Sequence, residues 1–376
     1  MNAFDTPENA GHGAILTIDL GAFVANWRML KQRAGTEAAA VVKANAYGIG
    51  IEPAVTALAK AGCRTFFVAH LSEAVRARAV APEAAIYVLN GLAPETGGTY
   101  AEHDLSPVLG SHEELLEWAG FRQSGAKVRP AALHVDTAMN RLGLWPGEGL
   151  DLAREKSGVV AAAGIGLVMS HFAASEVIDD PANARQVSAF AEVAAAFPGV
   201  PASLLNSSGH FLPGCPSYQI TRPGYALYGG NPTPGKPNPM RPVVGLEAQI
   251  IQLREVETGT QVGYNGTWTA KGRRKLATIC LGYADGYPRN ASWTDRSQGG
   301  SALVGGVRCP FVGTVSMDLI IVDVSDAPAE AAKRGSAVTL IGGELDLEAV
   351  GAGAKTIGYE ILTSLGRRHA RRYVGL

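Results

Sequence analysis

Cysteine is scarce: Cys63, Cys215, Cys280 and Cys309 stand far apart in 376 residues, with no C-x-x-C pair. That spacing argues against a disulfide framework or a zinc site and reads as reduced thiols of a cytoplasmic protein. An excess of one charge is also missing. Lys and Arg number 33 against 34 Asp and Glu, a formal net charge of -1, so neither a nucleic-acid nor an anionic-membrane partner is indicated. No uninterrupted apolar run is long enough to span a bilayer. Residues 1–13 are polar, lack the apolar centre of a secretory signal, and read as a disordered or extended tail. No G-x-G-x-x-G follows a strand-like run, which weakens a doubly wound open sheet as the architecture.

What is present is apolar material, 47% of the chain, in a regular rhythm. Ile15–Ile18 reads as a short strand, and Asp19 caps a helix reaching about Lys31. Eight strand-like runs follow: Ala38–Val42, Arg64–Ala69, Ala84–Leu89, Leu105–Leu109, Ala131–Val135, Gly164–Ser170, Ala202–Leu205 and Ser217–Thr221. Helical stretches such as Glu52–Lys60, Ser72–Ala79, Ser111–Trp118 and Ala182–Ala195 lie between most of them. Eight such alternations over close to ~250 residues predict a (β/α)8 TIM-type barrel. A proline-rich stretch, Asn231 to Pro239, is a linker candidate. Beyond it helical periodicity nearly disappears, and glycine-punctuated runs such as Glu247–Leu253, Lys275–Leu281 and Leu319–Val324 predict a mainly β domain. The expected division is a barrel over residues 14–240 and a β-rich domain over 241–376, with the first strand free to join the latter.

The apolar run Ala38–Val42 ends in Lys43-Ala44-Asn45-Ala46-Tyr47-Gly48. A lysine at a strand end has an apolar collar, and desolvation favours the neutral amine that can form a Schiff base with an aldehyde. Active sites of such barrels sit at the C-terminal strand ends, with phosphate held by the loops after strands seven and eight. Here those ends offer Lys43, Asp136 to Arg141, His171, Asn206 with Ser207, and Arg222 to Tyr225. Hydroxyls and exposed backbone N–H groups next to glycine suit a phosphate. Gly351-Ala352-Gly353-Ala354-Lys355-Thr356 has the look of a phosphate loop but lacks Gly-Lys-[ST].

The Val41–Gly50 decapeptide resembles the cofactor-lysine signature of the alanine racemases. So, in family order, do Leu16–Leu20, Val135–Gly143, Ser170-His171-Phe172, Arg222–Gly229, Gly282–Arg289 and Ser316-Met317-Asp318. The resemblance covers essentially the whole chain. It implies pyridoxal 5'-phosphate (PLP) on Lys43, alanine as substrate, D-alanine for peptidoglycan as the product's use, and a homodimer with shared active sites. It implies that Lys43 and Tyr264 are the two catalytic bases, and that the β domain supplies Tyr264. Tyr47, Asn206, Ser207, Gly224, Tyr225 and Tyr359 would hold the phosphate end, His171 would pack on the pyridine ring, and Arg222 would face its nitrogen. Arg141 and Met317 would contact substrate, and Tyr283 and Tyr359 would narrow the entrance. A hydrogen-bonded connection from His171 to Arg222 would help lower the pKa of Tyr264.

An arginine opposite the ring nitrogen has a chemical consequence. Guanidinium has only donors and keeps its proton, so that nitrogen should stay unprotonated and the ring a weaker electron sink. This argues against a barrel-fold decarboxylase, the alternative that shares the architecture, and a non-catalytic PLP carrier would not need Tyr264. Turnover of other small amino acids such as serine is left open. The chain also departs from the family. A lysine, often carbamylated, commonly stands where this chain has His134, and the Asp-Thr-Gly-Met motif reads Asp136-Thr137-Ala138-Met139. A carbamate anion is not expected on His134, so Arg141 would lack that partner.

Overall fold

The computed structural model describes Phe4 and residues 11–375. The rest of the expected tail, residues 1–3 and 5–10, lies outside them. The helix Leu20–Ala34 starts where Asp19 accepts a hydrogen bond from the Ala22 N–H at 2.8 Å and ends at Gly35, whose φ of 67° lets its N–H return to Lys31 O. Such caps satisfy backbone groups that a helix end leaves open. The helix buries Leu20, Phe23, Trp27 and Leu30, and the Trp27 indole N–H reaches Ala38 O at 2.9 Å in the first barrel strand.

That strand comes in two pieces, Glu37–Ala38 and Ala40–Val41. Parallel partners then follow in chain order: Thr65–Val68, Ala85–Val88, Ser106–Leu109, Ala131–His134, Ile165–Met169 and Ala202–Ser203. The eighth, Ile220–Thr221, pairs with Glu37–Ala38 and closes the ring, and the Arg222 N–H ties it to Leu205 O on the seventh. The alternation foreseen from the sequence is therefore a (β/α)8 barrel. The strand faces are almost wholly apolar, as a parallel sheet covered by helices requires. Helices missed in the sequence, Gly97–Glu102, Pro146–Glu155 and Ser157–Ala163, are short or rich in glycine, alanine and charge. After strands seven and eight the helices shrink to single 3₁₀ turns, Ser208–Phe211 and Tyr225–Tyr228, and the Leu20–Ala34 helix lies beside the second, with Phe23 5.1 Å from Tyr228.

The second layer is a β assembly centred on the long strand Val244–Val256. It pairs with Ala14–Asp19, Ala337–Ile341 and Arg274–Ile279, and Ala14–Asp19 is flanked on its other side by Ala370–Val374. The first strand thus sits between the β strands although it precedes the barrel in sequence. Two short helices, Leu347–Gly353 and Gly358–Ser364, interrupt the β pattern; at seven residues each they carry too few turns to show a period. The first contains the start of the phosphate-loop look-alike, placing those residues at a helix C-terminus. A continuous apolar core runs through both layers. No helix among the described residues is long and apolar enough to cross a membrane.

Candidate active site

Lys43 lies just past Val42, whose N–H bonds Phe67 O on the neighbouring strand at 2.8 Å. The next four residues have φ of 53°, 55°, 54° and 47°. This is a left-handed turn, a conformation that costs an L-residue roughly 1–2 kcal/mol each. Gly48 completes it with φ 85°. The turn breaks the strand direction and leaves Lys43 half-buried in the wall of a cavity of about 620 Å³. Burial lowers the Lys43 pKa, the Arg141 guanidinium lowers it further, and the Glu73 carboxylate acts the other way.

Arg222, buried, lines the same cavity. It donates from Nη1 to Ser203 Oγ and from Nη2 to Ser170 O, both at 2.5 Å. No carboxylate among the described residues pairs with it, and burial pushes its pKa down to about 9, so it remains a cation at neutral pH. The Phe67 ring lies 5.9 Å from its guanidinium carbon. His171 is driven to about 3 by burial first and then by Arg222, Arg141 and Lys43, and is therefore a neutral imidazole. No hydrogen bond joins the His171 side chain to Arg222 among the described residues; Nη1 and Nη2 of Arg222 go to Ser203 and Ser170 instead. Ser170 is steadied in turn: its hydroxyl is 2.7 Å from Thr137 Oγ1, to which the buried Gln186 side chain donates while also donating to His171 O.

Another part of the lining, around Ser207, Tyr47 and Gly224, suits an anion. Ser207 Oγ accepts the N–H groups of Gly224 and Ala226 at 3.0 and 3.1 Å, which leaves its own proton free to donate. Tyr47 is buried, and that burial raises its pKa, so it is a neutral O–H donor. A Cβ on Gly224 would stand 2.6 Å from the Tyr47 hydroxyl, so only glycine leaves that space. Tyr225 and Tyr359 stack at 3.8 Å. The Tyr359 hydroxyl donates to Glu176 and the Tyr225 hydroxyl to Glu348, each at 2.8 Å. Asn206 lines the cavity too, but its side-chain oxygen accepts the Gly209 N–H and the Ser175 hydroxyl.

On a third side is the loop Asp136 to Gly143. Burial works against the Asp136 charge, but N–H donations to its carboxylate, led by Ala138 at 2.9 Å and Met139 at 2.7 Å, win and lower its pKa. The loop holds Ala138 at φ 139° and Asn140 at φ 57°. Arg141 lines the cavity with no side-chain hydrogen bond or ion pair among the described residues, so its guanidinium is open to a carboxylate. His134 lines it as well, and burial with Arg222 pushes it down to about 4. It is neutral where a carbamylated lysine would be an anion.

The cavity thus gathers Lys43, Tyr47, Arg141, His171, Asn206, Ser207, Arg222, Gly224, Tyr225 and Tyr359. It does not gather Tyr264, Tyr283 or Met317, which are 68%, 41% and 53% exposed on the β layer. Backbone contacts tie the segments that carry them to the stretch Gly313 to Met317. The Tyr283 N–H bonds Ser316 O and the Ala284 N–H bonds Met317 O, while Gly263, before Tyr264, abuts Gly313 and Thr314. Leu142 and Ile357, 49% and 62% exposed, are apolar residues lining the cavity. Sequence reading missed the residues that brace the site, Ser203, Gln186, Glu73, Glu176 and Glu348. Only buried polar residues within apolar runs, such as Ser203, could have marked any of them.

The donor set suits PLP: an amine of lowered pKa for its aldehyde, a cation without a carboxylate for its ring nitrogen, and hydroxyls around a glycine cradle for its phosphate. Residues 18–232 match the alanine racemase N-terminal domain and 243–373 the C-terminal domain. An alanine racemase from Methylobacterium sp. (strain 4-46) is 59% identical over 96% of this chain and 98% of its own. One from Methylobacterium nodulans is 58% identical over 97% of each. The crystal structure of alanine racemase from Bartonella henselae with covalently bound pyridoxal phosphate superposes with a TM-score of 0.90, at 41% identity, over 96% of this chain and 99% of that one.

Proposed function

This chain belongs to the alanine racemase family, and we propose that it interconverts L- and D-alanine with PLP, using Lys43 and Tyr264 as its two bases. The observation that carries the assignment is the cavity that joins Lys43, Arg222, Tyr47 and Ser207 in one space. PLP, when bound, supplies an aldehyde for amines and a conjugated ring that takes up the electrons of a bond broken at the α-carbon.

The chain's own residues do the rest. Lys43 would hold the aldehyde end and move a proton at Nζ. Tyr47 O–H, Ser207 O–H and the backbone around Gly224 and Tyr225 would hold the phosphate. His171 would pack on the ring, and Arg222 would keep a permanent donor against the ring nitrogen. Arg141 would orient the substrate carboxylate. Lys43 reaches the α-carbon from one face. A base on the same face returns the proton where it came from, so inversion needs a second base opposite. Tyr264 is exposed in its own chain, which supports delivery of Tyr264, Tyr283 and Met317 by the second subunit of a homodimer. The exposed apolar residues Leu142 and Ile357 give such a subunit a surface to cover. Serving the cytoplasm with D-alanine for peptidoglycan is the physiological part of the reading.

Borohydride reduction of the PLP-loaded protein followed by peptide mapping tests the centre of this proposal. The cofactor should be fixed on the peptide containing Lys43. Recovery on the peptide of Lys60 or Lys127 would sink it.

A further inference from the structure

Lys43 is followed by a backbone conformation that L-residues hold only when their surroundings dictate it. The surroundings here are specific. Glu73 Oε1 accepts the Asn45 N–H at 3.1 Å, and Glu73 Oε2 accepts the N–H groups of Ala69 and His70 at 3.0 and 3.3 Å. Asn45 Oδ1 accepts the Ile51 N–H at 3.2 Å and Arg76 Nη2 at 2.8 Å. Arg76 is fixed by two bonds to Glu52, at 2.6 and 2.7 Å. The left-handed turn is therefore tied through Asn45 to the start of the Leu71–Val80 helix, where Glu73 occupies the first turn.

We propose that Glu73 is a positioning residue for Lys43: through the Asn45 N–H it holds the turn that aims the lysine into the cavity, and it supplies a carboxylate to an amine whose cavity is lined mainly by cations and neutral rings. This rests on Lys43 being the cofactor lysine. The titratable groups lining the cavity with Lys43 are Arg141, Arg222, His134, His171, Tyr47, Tyr225, Tyr359 and Glu360. Glu73 opposes burial and Arg141 in setting how readily Lys43 holds a proton. A substitution removing the Glu73 charge should therefore make a nitrogen at that position release its proton at lower pH. A substitution that loosens Asn45 but keeps the charge should not.

The test uses the PLP-loaded enzyme with Glu73→Gln, Glu73→Asp and Asn45→Ala. The readouts are the pH midpoint of the bound cofactor's visible absorbance and the kcat and KM for alanine. Glu73→Gln should lower the midpoint by about half a unit or more and kcat about tenfold, with KM within about twofold. Glu73→Asp should recover the midpoint. Asn45→Ala should lose kcat alone. A Glu73→Gln enzyme with unchanged midpoint and kcat overturns the proposal, as does one that loses only thermal stability. If that variant does not fold, a Glu73→Asp enzyme with unsubstituted kcat, its shorter side chain drawn back from the Asn45 N–H, overturns the positioning role. Borohydride mapping of the unsubstituted enzyme separates the two levels. A cofactor on Lys43 with Glu73 variants unchanged refutes the positioning role alone, whereas a cofactor on another lysine removes the premise and the proposal with it.

Discussion

Arg222 donates from Nη1 to Ser203 Oγ and from Nη2 to Ser170 O, both at 2.5 Å, two neutral acceptors serving a buried cation that no carboxylate among the described residues accompanies. A cation fixed in this way cannot hand a proton to a ring nitrogen as a carboxylic acid would. Arg222→Glu should lower kcat for racemisation about a hundredfold or more, the scale of losing a preorganised donor. It should also release pyruvate from alanine, because a protonated ring holds the substrate's electrons long enough for the proton to return to the wrong carbon. A lactate-dehydrogenase-coupled assay reads the pyruvate. Racemisation at the unsubstituted rate with no pyruvate would show that the arginine does not set the chemistry.

Ala138 has φ 139°, in the half of conformational space that favours glycine. Strain of ~1–3 kcal/mol at such a position exceeds the ~0.5–1 kcal/mol that glycine costs in chain entropy. Ala138→Gly should therefore stabilise the protein by about 1 kcal/mol, or raise Tm by about 2 °C for a chain of this size. A calorimetric scan showing a lower Tm would mean that the Ala138 methyl contributes packing that outweighs the strain.

Periodicity carried the barrel because each strand is a short apolar run between helices, and the pattern repeats in order. It did not carry the β layer's details, since Ala14–Asp19 finds its partners at Val244–Val256 and Ala370–Val374, and no local signal records such distant pairing. Within the site, residues at strand ends were legible because the barrel places all strand ends together. The left-handed turn after Lys43 was not, since Ala44 and Ala46 are unremarkable residues for any conformation and the constraint comes from Glu73, on another element. His134 was legible as a departure, but its neutrality follows from burial and Arg222, which only the fold supplies.

Acid should destabilise this protein through buried histidines. His134 and His210 are pushed to about 4 and His171 to about 3, all by burial first. Each is a base whose folded pKa lies below its unfolded value near ~6.5. The unfolded chain therefore binds more protons between those values. The stabilisation is complete above about pH 6.5 and falls as pH drops toward the folded pKa values. His210 donates from Nδ1 to Asn206 O at 2.7 Å, since a carbonyl only accepts, and its Nε2 lies 3.1 Å from Thr221 Oγ1 as the acceptor. Moving from about pH 7.5 to about pH 5 should cost on the order of 1–2 kcal/mol per histidine. His210→Asn, away from Lys43, should flatten the fall in Tm. An equally steep fall in that variant would exclude His210 as a contributor.

Tyr264 and Lys43 do not share a cavity within the chain, so activity should depend on subunit pairing. Lys43→Ala and Tyr264→Phe proteins should each be inactive or nearly so. Mixed under conditions of subunit exchange, they should recover up to about a quarter of the unsubstituted activity. Half of the chains would form heterodimers, and one of two sites in each would be intact, as expected of isologous pairing. Persistent inactivity, with exchange demonstrated by mass spectrometry, would argue that each chain completes its own site.

The two bases should be separable by the enantiomer they deprotonate. When the α-proton leaves, the carbon becomes planar and its two faces differ only in which residue stands over them. Lys43 is held on the barrel side by the turn that Asn45 and Glu73 secure. A group arriving from the β layer of another subunit must approach from outside the cavity, over the opposite face. The family resemblance implies that Tyr264 would serve L-alanine and Lys43 D-alanine. Arg141 and Arg222 both line the cavity Tyr264 would enter. Tyr264→Phe should slow α-deuterium uptake from D2O into L-alanine about a hundredfold or more relative to uptake into D-alanine, because the lysine face keeps its base. Nuclear magnetic resonance of the recovered alanine reads both rates in the same enzyme preparation. Equal losses for the two enantiomers, with cofactor still bound and the fold intact, would refute the division of labour while leaving the cavity assignment standing.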